Sequence, residues 1–149
     1  SMFRGSFHHS VDDKGRFAVP SKFRDILRAS GYDGIMVSRL DGCLMAYAMD
    51  EWGKIESRIL NLAERSDSMR RFRRVFIGEA ANCPCDKQGR VLVPPTLRQY
   101  AEFERDIVVV GVLDHFEIWA RKKWDQESIG LEDDMKQEEV RNQIAKLGL

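Results

Sequence analysis

Short apolar runs separated by polar turns fill most of the chain, and their spacing predicts strands before helices. In the first half, a strand of apolar residues leads into a polar turn at residues 12–16, and residues 17–19 predict a short strand after it. Residues 34–39 with 44–48 predict a hairpin. Proline ends the strand at residues 17–19, because it has no N–H to donate, and residues 21–28 predict a short helix after it. The predicted order is strand, turn, strand, short helix, strand, turn, strand.

This order is repeated in the second half. Residues 12–20 align without gaps on residues 86–94, with Asp, Gly, Arg, Val and Pro identical. The strand, helix and hairpin recur at residues 91–93, 95–101, 106–112 and 116–120. A single half is too small to bury a stable core, whereas two interlocked halves can share one. The repeat therefore predicts pairing between the halves, in a fold that is mostly β with peripheral helices (α+β).

The regions outside the repeat are predicted to be helical. We expect a first half at residues 2–50, a helical insert at 51–80, a second half at 81–126 and a charged helical tail at 127–149. Within the insert, apolar spacing predicts an amphipathic helix over residues 50–65, with Asp50 as its N-cap, and a second helix over 67–76. Met135, Val140, Ile144 and Leu147 form a thin stripe that predicts one helix over residues 132–147, either packed against a neighbour or partly frayed.

Composition restricts the function. Lys plus Arg equals Asp plus Glu, at 24 each, so any affinity for nucleic acid must come from clustered charge. No run approaches the roughly 20 apolar residues of a spanning helix, so we expect a cytoplasmic protein without membrane contact. Three cysteines favour reduced thiols. Cys83-Pro84-Cys85 invites a metal site, but no second Cys/His pair lies near it, and buried cysteines often serve as small core residues.

Nothing in the sequence indicates catalysis. His8, His9 and His115 are the only histidines, and no nucleophile stands in a recognisable motif. His115 falls in the second hairpin turn, where we expect it to be solvated. Gly15 and Gly89 stand alone, without the pattern of a phosphate-binding loop. We therefore predict no enzyme activity, no catalytic residue, no metal, no cofactor and no small-molecule substrate.

The repeated turns carry the chemistry of a DNA contact. Arginine is suited to bidentate contact with guanine in the major groove, and lysine meets phosphate as a point charge. An aspartate a few residues earlier either holds the guanidinium or caps the turn backbone, and glycine supplies the positive φ of a tight hairpin. The alternative is a solvated Asp-Arg hairpin. The candidates are the DNA-contacting Lys14, Arg16, Lys87 and Arg90 and the loop-orienting Asp12, Asp86, Gly15 and Gly89.

Other basic residues have two interpretations each. Those near the turns in sequence either contact phosphate or are solvated surface: Arg4, Lys22, Arg24 and Arg98. The densest basic cluster spreads over more than one helix face, so it either pairs with acidic groups across a subunit boundary or contacts DNA: Arg70, Arg71, Arg73 and Arg74. Four aromatic residues fall at equivalent places in the two halves, which favours core or interface packing over base stacking: Tyr47, Trp52, Trp119 and Trp124.

The chain resembles the MraZ family. The resemblance rests on the opening 2–5, on the turn 13–16 leading to Pro20, on its second copy 86–90 leading to Pro94, and on Gly111 before Ile118-Trp119. That family is similar to the AbrB class of regulators and antitoxins, with two units in one polypeptide. The resemblance implies a duplicated AbrB-like swapped-hairpin β-barrel formed by both halves, assembly into a homo-oligomeric ring, and binding to short direct repeats in double-stranded DNA upstream of the division and cell wall genes.

In that family the Asp-x-x-x-Arg turn reads DNA, which corresponds here to Asp12 with Arg16 and Asp86 with Arg90. The expected function is a DNA-binding transcriptional regulator that represses its own operon and associates with the nucleoid. Because a ring presents many turns to successive repeats, its weak individual contacts are expected to add up to firm binding. Two alternatives remain: an oligomeric scaffold that binds division proteins without DNA, and an antitoxin that binds a toxin through its tail. Binding to upstream DNA that depends on both arginines would separate these hypotheses.

Overall fold

The computed structural model describes residues 2–62 and 66–149. The strands are β1 (Phe3–Ser10), β2 (Arg16–Ala18), β3 (Gly34–Leu40), β4 (Cys43–Tyr47), β5 (Ala81–Pro84), β6 (Arg90–Leu92), β7 (Asp106–Leu113) and β8 (Phe116–Ala120). The helices are α1 (Ser21–Ala29), α2 (Met49–Leu60), α3 (Asp67–Gly78), α4 (Pro95–Tyr100), α5 (Arg121–Asp134) and α6 (Glu138–Ala145).

The two halves are joined by four strand pairs. A six-stranded antiparallel sheet has the order β1-β7-β8-β4-β3-β5, and β2 pairs with β6 in a separate two-stranded ribbon. The pairs β1–β7, β2–β6, β3–β5 and β4–β8 each join a strand of one half to a strand of the other. This confirms the predicted α+β class and the predicted pairing between the halves, while a closed barrel stays a prediction. Pro84 lies in β5 at the sheet edge, where its missing N–H disrupts no central ladder.

The turns after β1 and β5 are not the hairpins that the sequence predicted. Each turn closes locally, since the N–H of Asp12 donates to the Arg16 carbonyl and the N–H of Asp86 to the Arg90 carbonyl, both at 2.8 Å. The strands on either side then separate, because β1 and β5 belong to the large sheet and β2 and β6 to the ribbon. The turns therefore connect the sheet to the ribbon.

The large sheet is covered on both faces in its centre. All five residues of β4 are buried: Leu44 and Ala46 pack into one hydrophobic cluster, and Cys43, Met45 and Tyr47 into another. Successive side chains of a strand point to opposite faces, so a strand buried on both faces is apolar throughout rather than alternating.

The first cluster lies between the sheet, the ribbon and helices α1 and α4. Phe23 of α1 is at its centre, with ring centroids 5.1 Å from Phe3 and from Phe116 and 5.2 Å from Phe7. Phe17 and Val91 of the ribbon and Cys83 of β5 are buried in the same cluster. Both halves thus supply one core, and Cys83 serves as one of its small residues.

Helices α2 and α3 cover the opposite face of the sheet. Trp52 and Phe76 are buried there and contact each other at 5.5 Å between ring centroids. The expectation that Asp50 caps α2 is wrong, because the helix begins at Met49 with Ala48 as N-cap and Asp50 lies in the first turn, where a negative charge suits the helix dipole. The predicted end of this helix at residue 65 lies outside the described residues.

The tail is two helices instead of one. Helix α5 begins at Arg121, directly after β8, and ends at Asp134, and α6 begins at Glu138. The break at residues 135–137 interrupts the predicted stripe, and neither helix buries a residue, so no core contact holds the two segments in one helix. No helix in the described ranges is long and apolar enough to cross a bilayer.

Candidate nucleic-acid interface

The first turn is organised by one carboxylate. Asp12 Oδ1 accepts hydrogen bonds from the backbone N–H groups of Lys14 and Arg16, each at 2.9 Å. Its Oδ2 accepts from Arg16 Nε at 2.8 Å. The sequence left open whether the aspartate holds the arginine or caps the turn, and the structure shows that it does both. The hydrogen bond from the Arg16 backbone N–H is the largest contribution that lowers the pKa of Asp12 to about 2.

The second turn repeats this geometry. Asp86 Oδ1 accepts from the backbone N–H groups of Gln88 and Arg90 at 2.9 Å, and Oδ2 accepts from Arg90 Nε at 3.1 Å. The pKa of Asp86 is lowered, chiefly by the Arg90 backbone N–H. Within the described ranges, each turn arginine uses only Nε in a side-chain hydrogen bond, so its two Nη groups remain available to a ligand.

The ribbon places both arginines on one surface. In its register, Arg16 is opposite Leu92, Phe17 opposite Val91, and Ala18 opposite Arg90. Because side chains alternate along a strand, Phe17 and Val91 point into the core and the other four residues point outward. Arg16 and Arg90 are therefore diagonal neighbours on the outer face, about 7–8 Å apart at Cα. Their side chains are 31% and 33% exposed.

Each turn is supported by a helix of the other half. Gly15 and Gly89 have φ of +89° and +77°, and each lies against an arginine side chain. A Cβ on Gly15 would come within 2.5 Å of Arg98 Cζ from α4, and a Cβ on Gly89 within 3.0 Å of Arg24 Nη1 from α1. Backbone hydrogen bonds also join each turn to the other half. The N–H of residue 93 donates to the Gly15 carbonyl at 3.0 Å, and the N–H of residue 19 donates to the Gly89 carbonyl at 2.9 Å.

Arg24 and Arg98 are thus positioning residues that the sequence analysis did not identify. Arg24 donates to both carboxylate oxygens of Asp33 and to the Asp86 carbonyl, and its side chain is only 17% exposed. Arg98 Nε donates to the Val93 carbonyl at 3.0 Å. The suggestion that Arg24 contacts phosphate is not supported, because its Nε and Nη2 are both bonded to the protein. A phosphate contact of Arg98 stays a prediction, since within the described residues only its Nε is bonded. Arg24 and Arg98 occupy equivalent positions in the two halves. This equivalence is the feature of the sequence that could have identified their shared role.

The remaining basic candidates fall into two groups, those near the ribbon and one that is far from it. Lys14 and Lys87 are exposed in the turns, and Lys22 is exposed in the first turn of α1, which follows β2. Arg4 is also exposed, but it lies six residues before Ser10 at the far end of β1, about 20 Å along the strand from the turn. The structure therefore brings the lysines to the ribbon and leaves Arg4 away from it.

Several other predicted features lie elsewhere. Arg70 pairs with Asp67 on its own helix, and the exposed Arg71, Arg73 and Arg74 lie on α3, which covers the sheet face opposite the ribbon. The expectation that His115 is solvated is wrong. Its ring stacks on Tyr47 at 4.9 Å between centroids, and Nδ1 lies 2.7 Å from Asp114 Oδ1, because the turn folds back on the second cluster.

The four equivalent aromatic residues pack as predicted. Tyr47 contacts Trp52 at 5.6 Å, and Trp119 contacts Trp124 at 6.1 Å between ring centroids. All four lie in or against the second cluster, on the sheet face opposite the ribbon. They are therefore core residues and take no part in the candidate interface.

Comparison with known proteins agrees with the internal repeat. A family model described as "MraZ protein, putative antitoxin-like" matches the chain twice, over residues 2–75 and 76–143. A relative from Desulforapulum autotrophicum, named "Transcriptional regulator MraZ", is 54% identical over 148 residues, which cover 99% of this chain and 100% of the relative. Relatives of the same name from Desulfosudis oleivorans and Acetivibrio thermocellus are 49% and 40% identical, with the same coverage.

Proposed function

The chain belongs to the MraZ family, and from this membership we propose that it regulates transcription by binding duplex DNA through the outer face of the β2–β6 ribbon. Its relatives are named as transcriptional regulators and not as enzymes, in agreement with the prediction that the chain is not an enzyme. The observation that carries the proposal is the placement of Arg16 and Arg90 as diagonal neighbours on the outer face of the ribbon.

The dimensions of the ribbon suit the major groove. Two paired strands lie about 4.8 Å apart, and the major groove, about 12 Å wide, admits a two-stranded ribbon. With Nε held by an aspartate, each turn arginine keeps its direction and presents Nη donors to guanine O6 and N7. Lys14, Lys87 and Lys22 are exposed and close in sequence to the ribbon strands, so in this proposal they contact the flanking phosphates and contribute sequence-independent affinity.

Self-association is part of the same proposal. The ribbon of one chain makes few contacts, and several copies on successive direct repeats would add their affinities through a high effective concentration. Exposed apolar residues at the junction of α2 and α3 are suited to contact a further copy: Leu60, Leu62 and Met69. We propose a homo-oligomeric ring that represses its own operon and associates with the nucleoid through this binding.

A mobility-shift titration tests the proposal with DNA from upstream of the chain's own gene. Arg16→Ala or Arg90→Ala is expected to weaken binding about 5- to 150-fold, the range for one bidentate base contact. Lys14→Ala is expected to weaken all sequences alike and to lower the salt slope by about 1. Arg58→Ala is the matched control, because Arg58 is exposed on α2, on the other side of the sheet.

Retained binding in the double variant Arg16→Ala/Arg90→Ala would refute the ribbon as the reading surface. Light scattering on the same samples reports the oligomeric state. An intact oligomer that shows no preference for upstream DNA at either of two salt concentrations would instead favour the scaffold alternative.

A further inference from the structure

The outer face of the ribbon is not symmetric. The repeat relates Arg16 to Arg90 and Ala18 to Leu92, and all four side chains point outward. The arginines are identical, but the second pair is not: Leu92 is 54% exposed, whereas Ala18 presents a single methyl group and is half-buried. The register sets Leu92 beside Arg16 and Ala18 beside Arg90. One end of the outer face of the ribbon thus carries an arginine with a large apolar neighbour, and the other end carries an arginine without such a neighbour.

We propose that Leu92 makes the ribbon read an asymmetric DNA element, in which a thymine lies next to the guanine contacted by Arg16 and its C5 methyl packs against Leu92. This inference rests on the proposed DNA-binding function. The thymine methyl is the apolar feature of the major-groove edge, and apolar side chains recognise it there. At the other end, Ala18 reaches less far, so the guanine contacted by Arg90 has no neighbour selected in this way.

The spacing on the ribbon agrees with adjacent base pairs. Residues directly opposite in an antiparallel pair have Cα atoms about 4.5–5.5 Å apart, and successive bases of one strand are about 3.4 Å apart. Arg16 and Leu92 therefore reach neighbouring base pairs within the flexibility of their side chains. The diagonal of about 7–8 Å between Arg16 and Arg90 corresponds to roughly two base-pair steps. A compact element of a few base pairs is the expected footprint of one ribbon.

Charge in the two turns reinforces the asymmetry. Asp13 of the first turn is replaced by Lys87 in the second, and Lys14 by Gln88. Residues 12–16 thus carry two acidic and two basic side chains, and residues 86–90 one acidic and two basic. The second turn has the more positive local charge and the stronger attraction to phosphate. The two ends therefore differ both in base contact and in backbone contact, so the ribbon has a preferred direction on the duplex.

Selection from a randomised duplex library, with the full chain, tests the inference. The wild-type element is expected to contain thymine next to one guanine only. Leu92→Ala is expected to remove that preference, and Ala18→Leu to add a second, symmetric thymine. Leu131→Ala is the matched control, because Leu131 is 50% exposed on α5, a helix that packs through Trp124 against the second cluster, on the sheet face opposite the ribbon. Thermal melts by circular dichroism confirm that each variant is folded.

A second measurement uses unmodified protein. Replacing the selected thymine by deoxyuridine removes only the C5 methyl, and is expected to weaken wild-type binding about fourfold for each element, the value of one buried methyl group. The same replacement is expected to have no effect on Leu92→Ala. An equal loss in wild type and variant, or none in wild type, overturns the inference while leaving arginine-dependent selection intact. Absence of any selected element would instead refute the proposed function.

Discussion

The glycine of the first turn offers a quantitative test of how the two halves support each other. Gly15→Ala places a methyl group at φ +89° and 2.5 Å from Arg98 Cζ. A left-handed backbone conformation costs a residue with a Cβ about 1–2 kcal/mol. Displacement of Arg98 also breaks its hydrogen bond to the Val93 carbonyl, which adds about 1–2 kcal/mol. We therefore expect Gly15→Ala to lower the free energy of unfolding by about 2–4 kcal/mol.

Alanine substitutions at two other glycines measure the backbone cost separately from the contact with Arg98. Gly31 has φ +99°, and a methyl group added there would meet nothing within 4 Å, so Gly31→Ala carries the backbone cost alone, about 1–2 kcal/mol. Gly53 lies inside helix α2, again with nothing within 4 Å, so Gly53→Ala is expected to stabilise the protein by about 0.5–1 kcal/mol. The difference between Gly15→Ala and Gly31→Ala isolates the contact with Arg98.

Urea unfolding at one fixed protein concentration measures these changes, because association adds to apparent stability. In an Arg98→Ala background the contact is absent, so Gly15→Ala is expected to cost no more than Gly31→Ala. Equal destabilisation by Gly15→Ala and Gly31→Ala in the wild-type background would refute the reasoning, because it would mean that Arg98 does not hold the turn.

Three further predictions concern the turns and the core. The pKa of Asp12 in the folded protein, about 2, lies below its ordinary value of 3.8. The hydrogen bonds of its carboxylate therefore stabilise the turn above pH 4, and this stabilisation is lost as the pH falls toward 2. A carboxyl-detected NMR titration measures the pKa, and a midpoint near 4 would contradict the prediction. Ser38→Ala removes a buried hydroxyl that donates to the Phe76 carbonyl at 2.6 Å, and is expected to cost about 1–3 kcal/mol in urea unfolding. Phe23→Ala empties the centre of the first cluster and is expected to cost about 3–5 kcal/mol, whereas a loss under 1 kcal/mol would show that Phe23 is not central.

The repeat was the most informative feature of the sequence, because it identified turns, strands and helices independently of any single propensity. Strand positions followed from it to within a residue or two, as for residues 106–112 against the observed Asp106–Leu113. The second hairpin of each half also followed, since β3 pairs with β4 and β7 with β8, but the strand partners across the two halves did not. Hydrophobic alternation reports which face of a strand is buried, but pairing depends on residues far apart in the chain, so a local hairpin and an exchanged strand produce the same pattern.

The candidate site was predictable where a residue acts within its own turn. Asp12 and Arg16 lie four positions apart, and local geometry alone brings them together. Arg24 was not predictable in the same way, because its role depends on Asp86, which is distant in sequence. Arg4 is the opposite case. It is close to the first turn in sequence, but the extended strand β1 of eight residues places it far from the turn in space. Residues that act across the two halves need the fold before their role can be recognised.

Covalent duplication explains which positions of the ribbon are shared between the halves and which have diverged. A pair of identical chains would present the same side chain at both symmetric positions and would read a symmetric element. Joining the halves removes that constraint, but each turn still needs its carboxylate, its glycine and its arginine. Asp12, Gly15 and Arg16 accordingly recur unchanged in the second half, whereas the outward Ala18 is replaced by Leu92. The buried pair Phe17 and Val91 changes size but stays apolar. On the outer face of the ribbon and in its turns, divergence thus falls at positions that the fold does not require, and those are the positions that would give the ribbon a direction on DNA.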